Sequence, residues 1–81
     1  MNKTRINIRK KTYPVIVERG EDGWYVATMP LFVGCYTQGK TIDEALKNIR
    51  EAVALCLEDK ENKVIASSFR PLDVSLHAVT I

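Results

Sequence analysis

The sequence predicts an α+β domain in which one antiparallel-rich sheet is covered on one face by a single helix. Three features support this prediction: one amphipathic segment long enough for a helix, several short segments rich in β-branched residues, and an Asp-Gly pair between two of them. In chain order the predicted elements are β-β-β-α-β. The chain has 81 residues, enough for one thin hydrophobic core, so we expect residues 1–81 to form a single domain.

The helix is the most clearly marked element. Thr41 is a favourable N-cap, and Glu44 three residues later can complete a capping box. Apolar residues then recur every three or four positions, which predicts a helix from Thr41 to about Asp59 with one apolar side. These residues are Ile42, Ala45, Leu46, Ile49, Ala52, Val53, Cys56 and Leu57. Because an isolated helix of this length is only marginally stable in water, its apolar side must pack on a sheet.

The strands are predicted from the rest of the chain. Residues 13–19 and 24–29 are rich in valine, isoleucine and aromatic residues, and Asp22-Gly23 between them indicates a hairpin. A short third strand is predicted at 33–38 and a closing strand at 74–81.

Three segments are less regular. Residues 1–12 alternate in polarity and are basic, which predicts a half-buried strand or an extended basic arm. Residues 58–63 contain no apolar side chain and are expected to be an exposed exit from the helix, followed by a loop at 64–72.

The predicted strands carry large apolar side chains on both faces, as Val15 and Val17 do opposite Ile16. One helix of about 18 residues is roughly 27 Å long and covers only one face of a four-stranded sheet. We therefore expect the uncovered face, or an edge next to it, to bind another chain. This predicts a homo-oligomer, either a dimer or a tetramer, or a module that binds a different protein.

Neither catalysis nor a cofactor is predicted. No cysteine or serine is placed with a base in a recognisable nucleophile motif, and no glycine-rich loop precedes a basic phosphate-binding sequence. Cys35, Cys56 and His77 are too few and too widely spaced for a zinc site. Cys56 lies on the apolar side of the predicted helix, which favours a buried thiol, although a disulfide with Cys35 is also possible.

The chain is expected to be cytoplasmic and to have no membrane-spanning segment. It contains no apolar run of about 18 residues, and its charged N-terminus lacks the apolar core of a signal peptide. Its charges are unevenly distributed: residues 1–12 carry five cations and no acid, whereas residues 41–61 carry six acids and three cations. Such a distribution suits self-association or a charged partner.

The central part of the chain resembles the HicB family of antitoxins and HicB-like standalone proteins. The resemblance covers residues 13–58 and is carried by the hairpin sequence Gly-Trp-Tyr-Val-Ala (Gly23 to Ala27), Pro30-Leu31, Gly34-Cys35, Gly39, Thr41, Glu44-Ala45 and Glu51-Ala52. It implies a truncated ribonuclease-H-like unit without the nuclease's acidic site, which binds and neutralises a HicA-like toxin, a small basic ribonuclease that cuts messenger RNA. Many relatives carry a C-terminal DNA-binding domain after this unit; no such segment follows here, so we do not expect operator binding through one.

The leading hypothesis is therefore a non-catalytic, antitoxin-like module that binds a HicA-like toxin. Its candidate contact residues are the large aromatic and apolar side chains near the strand ends: Tyr25, Met29, Leu31, Phe32 and Tyr36. An alternative is a nucleic-acid-binding protein that uses the basic N-terminal residues Lys3, Arg5, Arg9, Lys10 and Lys11. A second alternative is an orphan, self-associating member of the same family.

Overall fold

The computed structural model describes residues 2–8, 11–68 and 77–80. Its first half is a four-stranded sheet in which each strand pairs antiparallel with the next along the chain, in the order β1-β2-β3-β4. The strands are β1 (Asn2–Ile8), β2 (Lys11–Arg19), β3 (Tyr25–Thr28) and β4 (Tyr36–Gly39). Two helices follow, α1 (Ile42–Cys56) and α2 (Lys60–Ser68).

The core lies between one face of the sheet and α1. Alternate residues of a strand point to opposite faces, and in β2 it is Val15 and Val17 that are fully buried on the helix side. They form one hydrophobic cluster with the inward stripe of α1, and Ile49 and Val53 of that stripe are also fully buried. The members of the cluster are Ile6, Ile8, Tyr13, Val15, Val17, Ala27, Met29, Phe32, Cys35, Ala45, Ile49, Val53, Leu57 and Ala66.

The predicted hairpin joins β2 to β3. The Trp24 amide donates to Asp22 Oδ1 at 3.0 Å, and the Gly20 amide donates to the Trp24 carbonyl at 2.8 Å. Gly23 has φ 87°, in the left-handed region that favours glycine. The Asp-Gly signal is therefore confirmed, and its physical basis is this side-chain-capped turn.

The start of α1 confirms the predicted capping box with one shift. The Glu44 amide donates to Thr41 Oγ1 at 3.0 Å, while the Glu44 carboxylate accepts from the amide of Lys40, one residue before the N-cap. Directly before the cap, Gly39 lets the backbone of β4 approach the helix. A Cβ at Gly39 would lie 2.6 Å from the Ala45 nitrogen, which is too close for any other residue without a shift of the helix. Gly39 and Thr41 thus fix where α1 begins relative to the sheet.

The α+β class and the antiparallel sheet are confirmed, but the element order differs from the predicted β-β-β-α-β. Residues 2–8 form a strand at one edge of the sheet, whereas the described part of the predicted closing strand, 77–80, is not in a strand. The remainder of that predicted strand lies outside the described residues. β1 pairs with β2 immediately after a very short connection, which is the less costly way to add a fourth strand.

The second difference is α2. It was expected to be an exposed exit and a loop, and α1 ends at Cys56 rather than near Asp59. Asp59 caps the new helix, because the Glu61 amide donates to Asp59 Oδ1 at 2.8 Å. Over the described residues, neither helix is long and apolar enough to cross a membrane.

Candidate protein-binding surface

The face of the sheet opposite α1 carries two rows of side chains that run across the strands. In the first row Ile16 of β2 lies opposite Thr28 of β3, which lies opposite Tyr36 of β4. Tyr36 is 66% exposed, while Ile16 and Thr28 are half-buried. An apolar residue, a hydroxyl and an aromatic ring therefore adjoin on a surface that the helices leave open.

The second row is more polar, and the β1 end of the face is basic. Glu18 lies opposite Val26, and Val26 opposite Gln38. At the β1 edge, the exposed Arg5 lies opposite Pro14. The open face thus has an apolar centre with polar and charged side chains around it, the usual arrangement of a protein-binding surface.

The five predicted contact residues do not lie on one surface. Met29 is fully buried, and Phe32 is buried with its ring 6.3 Å from that of Tyr13, so both belong to the core. Tyr25 and Leu31 are half-buried against the core cluster. Among the five, Tyr36 alone is exposed on the open face, and it is the member that the geometry makes most accessible to a partner.

Tyr25 lies instead in a shallow cleft of about 340 Å³ between the β2–β3 hairpin and the start of α1. The Arg19 guanidinium lies over the Tyr25 ring at 5.8 Å, and the Lys40 ammonium lies over the Trp24 ring at 5.6 Å. The sequence analysis missed this grouping because the residues come from separate elements. The adjacent Trp24-Tyr25 pair was the only local signal for it.

The basic N-terminal residues are only partly described. Lys3 lies in β1, Arg5 is exposed on the open face, and Lys11 is half-buried at the start of β2. Arg9 and Lys10 lie outside the described residues. The nucleic-acid hypothesis therefore stays a prediction.

The two cysteines, 21 positions apart in sequence, are neighbours in the fold. Cys35 is buried just before β4, Cys56 ends α1, and both are free thiols. Burial, with a smaller contribution from the Cys56 thiol, raises the pKa of Cys35 from 9.0 to about 12. A thiol with this pKa is a poor nucleophile at neutral pH. Among the residues that the structure describes, no three histidine, cysteine or acidic side chains are grouped to hold a metal ion.

The helices carry a further set of exposed apolar side chains that sequence periodicity did not reveal. Leu55 on α1 is 69% exposed, Val64 on α2 is 67% exposed, and Ile65 beside it is 39% exposed. The sequence analysis missed it because it searched for an apolar side that faces inward, whereas these residues face solvent.

Over the residues that the structure describes, fold and surface define a small α+β domain that presents an open sheet face and a shallow cleft. A family model described as the HicB-like antitoxin of bacterial toxin–antitoxin systems matches residues 13–77, and the chain belongs to this family. The resemblance seen in the sequence is thereby confirmed, and it extends beyond α1 into the second helix.

Similar proteins occur in bacteria and archaea. A UPF0150 protein of Synechocystis is 48% identical over 54 residues, which are 67% of this chain and 78% of the relative. A UPF0150 protein of Thermoplasma acidophilum is 43% identical over 68 residues, 82% of this chain and 97% of the relative. One from Archaeoglobus fulgidus is 42% identical over 50 residues, 62% of this chain and 72% of the relative. No solved structure matches the chain significantly.

Proposed function

We propose that the protein is a cytoplasmic antitoxin that neutralises its toxin by direct, non-catalytic binding. Membership of the HicB-like antitoxin family supports the toxin–antitoxin role. The toxin we expect is a HicA-like ribonuclease, a small basic protein that cuts messenger RNA. The protein itself would act by covering the toxin's surface and would need no catalytic group of its own.

The observation that carries this proposal is the open face of the sheet, with the exposed Tyr36 ring on its β4 edge strand. Tyrosine contributes a large, rigid, amphipathic contact and is enriched among the residues that dominate binding energy. Ile16 and Val26 on the same face are half-buried and would lose their remaining exposure when a partner docks. The same face would also allow two copies of this chain to associate as a dimer or a tetramer before the toxin binds.

The decisive experiment is co-expression with a HicA-like toxin, taken from the neighbouring gene where that gene encodes a small basic protein. We expect the wild-type protein to restore growth of cells that express the toxin and to co-purify with it. Tyr36→Ala should weaken binding by about tenfold or more, because it removes the large exposed aromatic side chain of the open face. Val33→Ala is the matched control, since Val33 is completely exposed but lies in the β3–β4 connection and not in a strand of the open face.

The two variants also identify the way in which the proposal would fail. If the wild-type protein neither protects cells nor binds the toxin, the antitoxin role is wrong. If it binds and both variants bind equally well, the role stands and the open face is not the binding surface. Tyr36 is largely exposed, so its substitution should leave the unfolding temperature almost unchanged and weaker binding would not reflect misfolding.

A further inference from the structure

α1 contacts both outer strands of the sheet through two side chains that flank its buried side. Asn48 Nδ2 donates to the Gln38 carbonyl of β4 at 2.9 Å, and Arg50 Nη1 donates to the Asn7 carbonyl of β1 at 2.6 Å. β4 and β1 are the two ends of the strand order. Ile49 between the two donors is fully buried, so helical geometry places the donors on opposite sides of the line along which α1 packs. The helix therefore reaches one edge strand on each side.

The register of β3 and β4 shows which backbone groups of β4 point away from the sheet. The Met29 amide donates to the Cys35 carbonyl at 2.9 Å, and this pair continues the β3–β4 register. Hydrogen-bonded and non-hydrogen-bonded pairs alternate along an antiparallel ladder, so Tyr36 and Gln38 direct their amides and carbonyls away from β3. The Gln38 carbonyl that α1 caps is therefore one of the outward groups of this edge.

The outward backbone groups of β4 are partly engaged within the chain. Tyr36 and Gln38 together supply two amides and two carbonyls at this edge. The Tyr36 amide donates to the Gly34 carbonyl at 3.2 Å, and the Gln38 carbonyl accepts from Asn48. A strand added to β4 would need these same groups, because strands pair through alternating amides and carbonyls. It would therefore have to displace the Asn48 side chain.

The same alternation extends across the sheet to β1. The residues of β3 that bond to β4 turn away from β2, so the even-numbered residues of β2 are the ones that bond to β3. β1 is then bonded to β2 through its own even-numbered residues, and Asn7 directs its carbonyl outward, where Arg50 caps it. Pro14 has no amide proton to donate, and it lies opposite Arg5 at a pair that this alternation leaves without hydrogen bonds.

An outer strand is a template for a strand of another chain, and proteins protect such strands by making them short, charged or covered. β4 has only four residues, and β1 carries the cations Lys3 and Arg5. The two side chains of α1 add a direct contact at each edge.

We propose that Asn48 and Arg50 protect the two edges of the sheet against pairing with a strand of another chain. A second copy of this chain, or a toxin, then reaches the sheet through its open face. This role goes beyond the proposed function, because it concerns the edges and does not depend on the existence of a toxin.

The test measures self-association of the full chain in the absence of a toxin. The variant Asn48→Ala/Arg50→Ala removes both side-chain donors. Sedimentation velocity over a range of protein concentrations should show that it associates about tenfold or more tightly than the wild type, because unprotected edges pair. Lys47→Ala is the matched control, since Lys47 is exposed on the same helix and its replacement changes the net charge by the same amount. Circular dichroism and the unfolding temperature of each variant establish that it is folded.

Amide exchange followed by NMR distinguishes pairing at an edge from association through the open face. The Gln38 amide points outward from β4 and the Arg5 amide outward from β1, so pairing at an edge should slow exchange of its amide as the protein concentration rises. Association through the open face would bury side chains there and leave both amides unchanged.

Two single variants that keep side-chain size separate the edges. Asn48→Asp removes the donor to β4 and should slow exchange at Gln38 with rising concentration, and Arg50→Met removes the donor to β1 and should do the same at Arg5. They also decide the inference if the double variant does not fold.

Each outcome decides the inference. Tighter association together with slower exchange at Gln38 and Arg5 supports it, provided that Lys47→Ala behaves as the wild type does. An edge that stays unpaired when its capping side chain is replaced overturns the inference for that edge. Association without slower exchange at either amide overturns it as well, because the new contact then lies elsewhere. Equal association of Lys47→Ala would assign the effect to charge and overturn it too. Failure of the wild type to bind a toxin would refute only the antitoxin role.

Discussion

The two helices of this protein are built on opposite principles. α1 turns its apolar side inward, and Ala45, Ile49 and Val53 along it are fully buried. α2 turns its apolar side outward, with Val64 and Ile65 exposed. Both begin with a side-chain cap and both are regular helices, so neither capping nor regularity distinguishes them. The difference lies in burial: α1 completes the core of the domain, whereas the larger apolar side chains of α2 stay exposed.

The small size of the core explains why some apolar side chains remain on the surface. A domain of 81 residues has little apolar surface to spare, and most of it is placed between α1 and the sheet. Side chains left over at Tyr36, Leu55 and Val64 do not stabilise the isolated chain. In the proposed complex with a toxin, exposed apolar side chains such as Tyr36 would become buried.

The strongest test of this difference between the helices is to make the same substitution in each of them. Val53→Ala removes two methyl groups from a fully buried site, and we expect it to lower the free energy of unfolding by about 2 kcal/mol. Val64→Ala removes the same groups from a site that is 67% exposed and should change stability by less than about 0.5 kcal/mol. Urea unfolding of both variants and of the wild type measures the two values.

Helix propensity does not account for a difference between these two variants, because alanine is favoured over valine by a similar amount in each helix. A loss at Val64→Ala comparable to that at Val53→Ala would contradict the outward orientation of α2. In that case Val64 would belong to the core.

The caps provide a second and smaller contrast. Thr41→Ala removes the acceptor for the Glu44 amide and should cost about 1 kcal/mol in global stability, since α1 unfolds only with the domain. Asp59→Ala removes the acceptor for the Glu61 amide at the start of α2. We expect it to speed amide exchange across residues 60–68 while leaving the urea midpoint nearly unchanged.

Amide exchange followed by mass spectrometry separates these two effects. Equal losses of global stability from the two cap variants would show that α2 unfolds cooperatively with the sheet. The expected difference between the two helices would then be wrong.

The parts of the fold that local signals encode were predictable. Asp22-Gly23 specified the hairpin, Thr41 with Glu44 specified the start of α1, and the inward stripe of α1 specified its packing. Each of these signals spans a few residues and specifies one local structure.

The parts that depend on distant contacts were not predictable. The alternating pattern at 77–80 resembles a strand, but a period of two does not specify which edge receives it, and β1 occupies the edge of β2. α2 was missed because its inward side carries Asn62 and Ala66 rather than large apolar residues, although Asp59 was a readable cap. For the site, residue type alone could not place Met29 in the core and Tyr36 on the surface.

The smallest expected effect concerns the boundary between the helices, where Cys56 ends α1 next to Cys35. The pKa of Cys35 is about 12 in the folded protein and 9.0 when the chain is unfolded and the thiol is exposed. Between these values the Cys35 thiol loses its proton in the unfolded state and keeps it in the folded state. Titration of Cys35 therefore leaves the free energy of unfolding unchanged below about pH 9 and lowers it as the pH rises towards 12. When the pH is raised from about 8 to about 9.5, we expect the free energy of unfolding to fall further for the wild type than for Cys35→Ala. The difference between the two proteins should be just under about 1 kcal/mol.

All other titratable side chains are present in both proteins, so the difference between the two pH profiles reports Cys35 together with its interaction with Cys56. Urea midpoints measured for both proteins across the range give that difference. Parallel profiles would mean that Cys35 is accessible to water in the folded state.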